Sequence, residues 1–142
     1  MKKILYLSSF LLFCFSACKN GDNKETAASE NDVDAVRNFI QAALEGNYEK
    51  AKTFMLHDSI NQERMNMIER VNLLPEEKKG LAAASINIHN ISRVNDSMTI
   101  VIYSNSFKNN WDTLKAVRQE GQWLVDFDYL FSHDSDTLMT RK

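Results

Sequence analysis

The chain has two cysteines, one proline and four glycines in 142 residues. Both cysteines, Cys14 and Cys18, fall at the N-terminal end, so the remainder can hold neither a disulfide nor a cysteine-based zinc site. The glycines stand singly at positions 21, 46, 80 and 121, which excludes a glycine-rich phosphate loop. Neither G-x-S-x-G nor H-E-x-x-H occurs, and no cofactor is implied. No apolar run reaches the roughly 20 residues that span a bilayer. The longest covers residues 4–15 and is interrupted by Ser8 and Ser9. The formal charge of −2 comes from 17 basic and 19 acidic side chains spread along the chain, which argues against nucleic acid as a partner.

What is present begins at the N-terminus. Lys2 and Lys3 precede the apolar run, which ends in Phe15-Ser16-Ala17-Cys18 and then turns polar. The order is that of a secretory signal. The last four residues resemble the lipobox of bacterial lipoproteins. That resemblance implies a signal peptide over residues 1–17 and a diacylglycerol thioether on Cys18, with an acyl chain such as palmitate on its amine. Two or three chains anchor a protein stably, each buried methylene contributing about 0.8 kcal/mol. Lys19 stands where an Asp would imply retention at the inner membrane. The expectation is therefore the outer membrane of a Gram-negative bacterium, facing the periplasm or the cell surface. A plain secretory signal cut nearby would leave Cys18 a lone thiol. Losing Lys2 and Lys3 moves the formal charge from −2 to −4.

The polar stretch after Cys18 has no large apolar residue, so residues 18–31 read as a lipidated cysteine and flexible tether. Residues 32–131 suffice for one domain. Residues 132–142 turn polar again and predict a loose tail. Within the domain, Asn31 or Asp32 can cap a helix whose stripe is Val33, Val36, Phe39, Ile40, Ala43 and Leu44, stopped by Gly46. A second helix is predicted over 48–56. A third opens at Asp58 or Ser59 with Ile60, Met65, Ile68 and Val71 inward, and a short one after Pro75 ends at Gly80. The period then changes to that of strands: 85–94 with a bulge between Ile88 and Ile91, 98–107, 111–119 and 123–129. The last alternates Trp123, Val125, Phe127 and Tyr129 against Leu124, Asp126 and Asp128. Short turns make sequential strands neighbours, so the prediction is an α+β fold with helices packed on a four-stranded antiparallel meander.

Three pieces carry a second resemblance: the opening AVRNFIQAALEGNYEKAKTFM, the strand TIVIY, and the closing KAVRQEGQWLVDFDY. Together they resemble the nuclear transport factor 2-like superfamily, with its cystatin-like, cone-shaped roll. The similarity is greatest to its small bacterial lipoprotein branch of unknown function. The resemblance implies a curved sheet wrapped around the first helix, a pocket at the open end of the cone, and dimers formed through the sheet. It implies either non-catalytic binding of a small apolar ligand or a protein, or isomerase- or dehydratase-type chemistry with an Asp, His or Tyr in the pocket.

Several residues are candidates for such a site. Asp126 and Asp128 share a strand face, where one carboxylate can stay protonated beside a charged neighbour. They lie opposite the apolar face, which favours solvation. His57 beside Asp58 can act as a tuned base, but Asp58 is wanted as a cap. His89 sits on the first strand, and Tyr103 can act as a donor for an acid–base residue at Asp126 or His89. Tyr103, Asn105, Phe107 and Trp111 are expected to line a pocket mouth, unless core packing uses them. Met55, Met65, Met67 and Met98 are adaptable side chains that suit an apolar pocket or core gaps. His133, Asp134 and Asp136 lie close in the tail, but without a rigid scaffold no metal site is expected.

Overall fold

The computed structural model describes Ser29 and residues 31–137, with side-chain surroundings through Ser132. The expected signal peptide, Cys18, most of the tether and residues 138–142 lie outside the described residues, as do the side chains of His133, Asp134 and Asp136. Four helices come first: α1 (Asp32–Leu44), α2 (Tyr48–Lys52), α3 (Ser59–Glu69) and α4 (Pro75–Ala82). Four strands follow, β1 (Ile86–Asn95), β2 (Met98–Asn105), β3 (Trp111–Gln119) and β4 (Gln122–Asp126), and then α5 (Asp128–Thr137). The strands form one antiparallel sheet in the order β1-β2-β3-β4. The fold is therefore α+β, helices before a four-stranded meander. Among the described residues no helix is long and apolar enough to cross a membrane.

Helix α1 forms where the apolar spacing predicts it. The Asn31 side chain caps it by accepting the Asp34 N–H at 2.8 Å. At the other end the Asn47 N–H bonds the Ala42 carbonyl and the Gly46 N–H bonds the Ala43 carbonyl, a Schellman pair that satisfies two otherwise orphaned acceptors. Its buried stripe of Val36, Phe39 and Ile40 packs on Val101, Tyr103, Leu114, Ala116 and Val125 from the sheet and on Phe127 just past it. Burying side chains of this size contributes about 1.5–3 kcal/mol each. The β3–β4 hairpin turns on Glu120 and Gly121, both at positive φ (51° and 84°), which matches the twist of the flanking strands.

Several expected boundaries shift, each for a visible reason. Helix α2 ends at Lys52, and residues 54–56 run beside β4 instead: the Leu56 N–H bonds the Val125 carbonyl at 2.9 Å and the Val125 N–H bonds the Phe54 carbonyl at 2.8 Å. With the Ser29–Trp123 bridge, this covers the outer edge of β4. On α3, Met65 is fully buried, but Ile60 is 54% exposed rather than inward, and Val71 falls past the end of the helix and is 52% exposed. Helix α4 runs through Gly80 rather than ending at it, and there the Phe107 ring occupies the space a Cβ would take. The predicted bulge on β1 lies between Ile88 and Asn90, and a second, between Arg93 and Asn95, leaves Val94 exposed.

Strand β4 stops at Asp126 rather than reaching Tyr129. The N–H groups of Phe127 and Asp128 turn away from the ladder to the buried side-chain carbonyl of Asn61 on α3. Asp128 then opens α5, which lies against β3 and α3, so part of the expected polar tail is helical. A carboxylate in the first turn of a helix suits the positive end of its dipole.

Candidate functional site

An apolar cavity lies where α1 and the sheet meet the segment linking α3 to α4. It encloses about 240 Å³ and is lined chiefly by Phe39, Ile40, Ala43, Leu44, Ile68 and Tyr103, with Phe127 as part of its wall. An adjoining cavity of about 270 Å³ shares Ala43, Leu44, Tyr48, Val71, Leu73 and Leu81 and adds the charged side chains of Glu45, Glu69 and Lys78. The pair forms an amphipathic groove, apolar within and charged at one end. Val71 and Leu73 reach it from the irregular segment of residues 71–74 between α3 and α4, and Pro75 starts α4 directly after it.

The groove wall is braced from behind. Phe127 packs against Phe39 at a ring separation of 5.1 Å and against Phe131 at 5.2 Å. Its position is set by Asn61, whose buried amide also donates to Asp58 at 2.8 Å and Asp126 at 3.4 Å. Asp58 caps α3 by accepting the Asn61 N–H, as the sequence predicts. At the charged end, Glu69 and Glu49 both bond Lys52, and they hold its ammonium pKa above the ordinary lysine value against the opposing effect of burial.

The residues expected to carry acid–base chemistry are not brought together. Asp126 pairs with Lys115 at 2.6 Å, and Lys115 also lies over the Tyr129 ring. Asp128 pairs with Arg64 at 2.7 Å and is on α5, not on the strand face of Asp126. Each carboxylate thus has its own cation, whereas a shared-proton pair needs two that repel each other. Tyr103 faces the core and the cavity. His89 is bonded to Ser104 and stacked on Trp111, with ring centroids 4.2 Å apart. Ser104 alternates with Tyr103 on β2, so His89 lies across the sheet from the cavity.

Of the expected pocket-mouth residues, only Tyr103 lines the apolar cavity. Asn105 is buried, and its side-chain oxygen accepts the N–H groups of Phe107 and Lys108 to shape the β2–β3 turn. Phe107 lies on Gly80, and Trp111 is 62% exposed. Met55 and Met65 fill the core and Met67 faces solvent. His57 lines a separate open cleft with Arg118 and Glu120 beside the hairpin. Among the described residues no cluster of His, Cys, Asp or Glu can hold a metal.

Asn61 and the cavity residues of 68–81 carried no sequence signal for a site. Asn61 is one polar position in a polar helix, and its role depends on a chain segment more than sixty residues away. The apolar residues Leu73 and Leu81 lack a helical or strand period that would assign them a face, and Val71, expected on the inward stripe of the third helix, falls past its end at Glu69. No protein-family model, curated protein or solved structure matches this chain.

Proposed function

We propose that this chain is an envelope lipoprotein, anchored through Cys18 at the outer membrane, whose domain is a nuclear transport factor 2-like cone acting as a non-catalytic binding module. Its ligand is a small apolar or amphipathic molecule held in the groove between α1, the sheet and residues 71–81. One observation carries the reading: the cavity of about 240 Å³ has almost entirely apolar walls, while Asp126 and His89 both lie away from it with other partners. Concave apolar sites with a few polar groups at one end favour binding of this kind. The resemblance of the helical opening and the closing hairpin to the superfamily supports the cone. The order Lys-Lys, apolar run, Phe-Ser-Ala-Cys supports the anchor.

The test uses the full chain extracted from its membrane in mild detergent. Mass spectrometry is expected to find a retained apolar molecule, and the probe N-phenyl-1-naphthylamine is expected to bind the emptied groove. Ala43→Trp places an indole in both halves of the groove. It should abolish probe binding while the far-ultraviolet circular dichroism stays unchanged. Probe binding equal to that of the unaltered chain sinks the groove as the site. For the anchor, Cys18→Ala should move the protein out of the membrane fraction, and its retention there would overturn the lipid assignment.

A further inference from the structure

The face of the sheet turned away from α1 carries a second aromatic feature that the groove reading does not use. Trp111 opens β3, Ser104 is its partner on β2, and Asn87 is the partner of Ser104 on β1. The three therefore lie in one row across the sheet, spanning two strand spacings of about 4.8 Å each. His89 bulges from β1 between this row and the next, made by Asn90, Ile102 and Thr113. Its Nε2 is 2.8 Å from the Oγ of Ser104, a residue only 3% exposed. Its ring stacks on the indole at 4.2 Å with 8° between the planes. An isolated surface indole is ordinary. This one is held in orientation by a histidine that is itself tied to a buried hydroxyl, and it remains 62% exposed.

The surroundings select the ligand. The six positions of the two rows carry no formal charge. Asn87, Asn90 and the nearby Asn110 are exposed, and no side-chain hydrogen bond engages them among the described residues. Each amide offers two donors and an acceptor. A nucleic acid strand needs cations along its backbone as well as stacking surfaces, and neither row supplies one. An acyl chain needs concavity, and this face is a sheet surface. A pyranose ring has one face of C–H groups and a rim of hydroxyls, which matches a fixed indole flanked by free amides. We infer that Trp111, backed by His89 and Ser104 and flanked by Asn87 and Asn110, is a binding platform for a neutral glycan chain, separate from the apolar groove.

The probe is the soluble β-1,4-linked tetramer of N-acetylglucosamine, titrated into the full chain in detergent. Isothermal titration calorimetry, which serves every variant, is expected to give a saturable heat, and tryptophan emission of the unaltered chain is expected to shift to shorter wavelength. Trp111→Ala should weaken binding at least about tenfold, a difference of about 1.4 kcal/mol. Trp111→Tyr keeps a stacking ring and should retain part of the affinity, which separates lost stacking from lost folding. His89→Ala removes the backing and should weaken binding by a smaller factor. Ala43→Trp should leave glycan binding unchanged, so failure of the groove reading and failure of this one are told apart. No saturable response at millimolar tetramer, or equal affinity in Trp111→Ala, overturns the inference. So does an emission shift that follows protein concentration rather than glycan, since that identifies a second copy of the chain as the occupant.

Discussion

Asp32 on α1 and Arg93 on β1 meet in a two-point ion pair, at 2.9 and 3.2 Å, that closes the first helix onto the far edge of the sheet. Thr99 on β2 donates to the same carboxylate at 2.7 Å. Burial raises the pKa of Asp32, but the hydrogen bonds from Arg93, Thr99 and the Val33 N–H outweigh it and hold the carboxyl below its usual value. A folded pKa below the unfolded one means that the contribution is present above about pH 4 and is lost as pH falls through the folded value. Asp32→Asn should cost about 1–2 kcal/mol at pH 7. In urea denaturation the gap between variant and unaltered chain should narrow at pH 3. A gap independent of pH would show that the ionised carboxylate contributes nothing.

Asn61→Ala leaves two backbone N–H groups at the β4–α5 corner without their acceptor. The expected loss is about 2–3 kcal/mol, more than for an exposed helix position. Asn61→Asp keeps the acceptor but sets a third carboxylate beside Asp58 and Asp126, which Asn61 now bonds. Its penalty should be larger at pH 7 than at pH 4. Thermal melts at the two pH values check this, and the reverse order would refute it.

Gly80→Ala ought to stabilise a helix interior by roughly 1 kcal/mol. Here the new methyl displaces the Phe107 ring, which is 44% exposed and can swing outward. The gain and the lost packing should nearly cancel. In a Phe107→Ala background the same change should be stabilising by the full amount. A double-mutant cycle measures the coupling, and additive effects would mean that the ring does not rest on Gly80 in solution.

Lys52 gives the opposite pH dependence. Its partners Glu69 and Glu49 raise its folded pKa, so its contribution is complete below about pH 10.4 and is lost as pH rises through the folded value. Lys52→Met should flatten the alkaline limb of the stability profile while leaving the acid limb intact. An unchanged alkaline limb would assign that titration to another group.

The parts of the fold legible in the sequence are those governed by local period and turn chemistry. The stripe of α1, the Asp58 cap, the two-residue hairpin at Glu120–Gly121 and the bulge after Ile88 all follow from near neighbours in the chain. The departures come from distant partners. Alternation predicts strand to Tyr129, yet Asn61 withdraws two N–H groups from the ladder and α5 begins instead. Gly80 looks like a helix stop until Phe107 is seen against it. The candidate site divides in the same way. Tyr103 was identifiable as a wall residue, whereas the partners of Asp126, Asp128 and His89 lie on other elements and decide their roles.

The bridge from Ser29 to Trp123 sits at the β4 edge, and three residues later Asp32 is gripped from β1 and β2. A pull on the N-terminus therefore enters the fold across the whole width of the sheet. The lone bridge should peel first under tension, in a small early extension on a single-molecule trace. The charged clasp of Asp32 then takes the load in common with the ladders beneath it. The load is thereby shared among several elements instead of resting on any one strand pair.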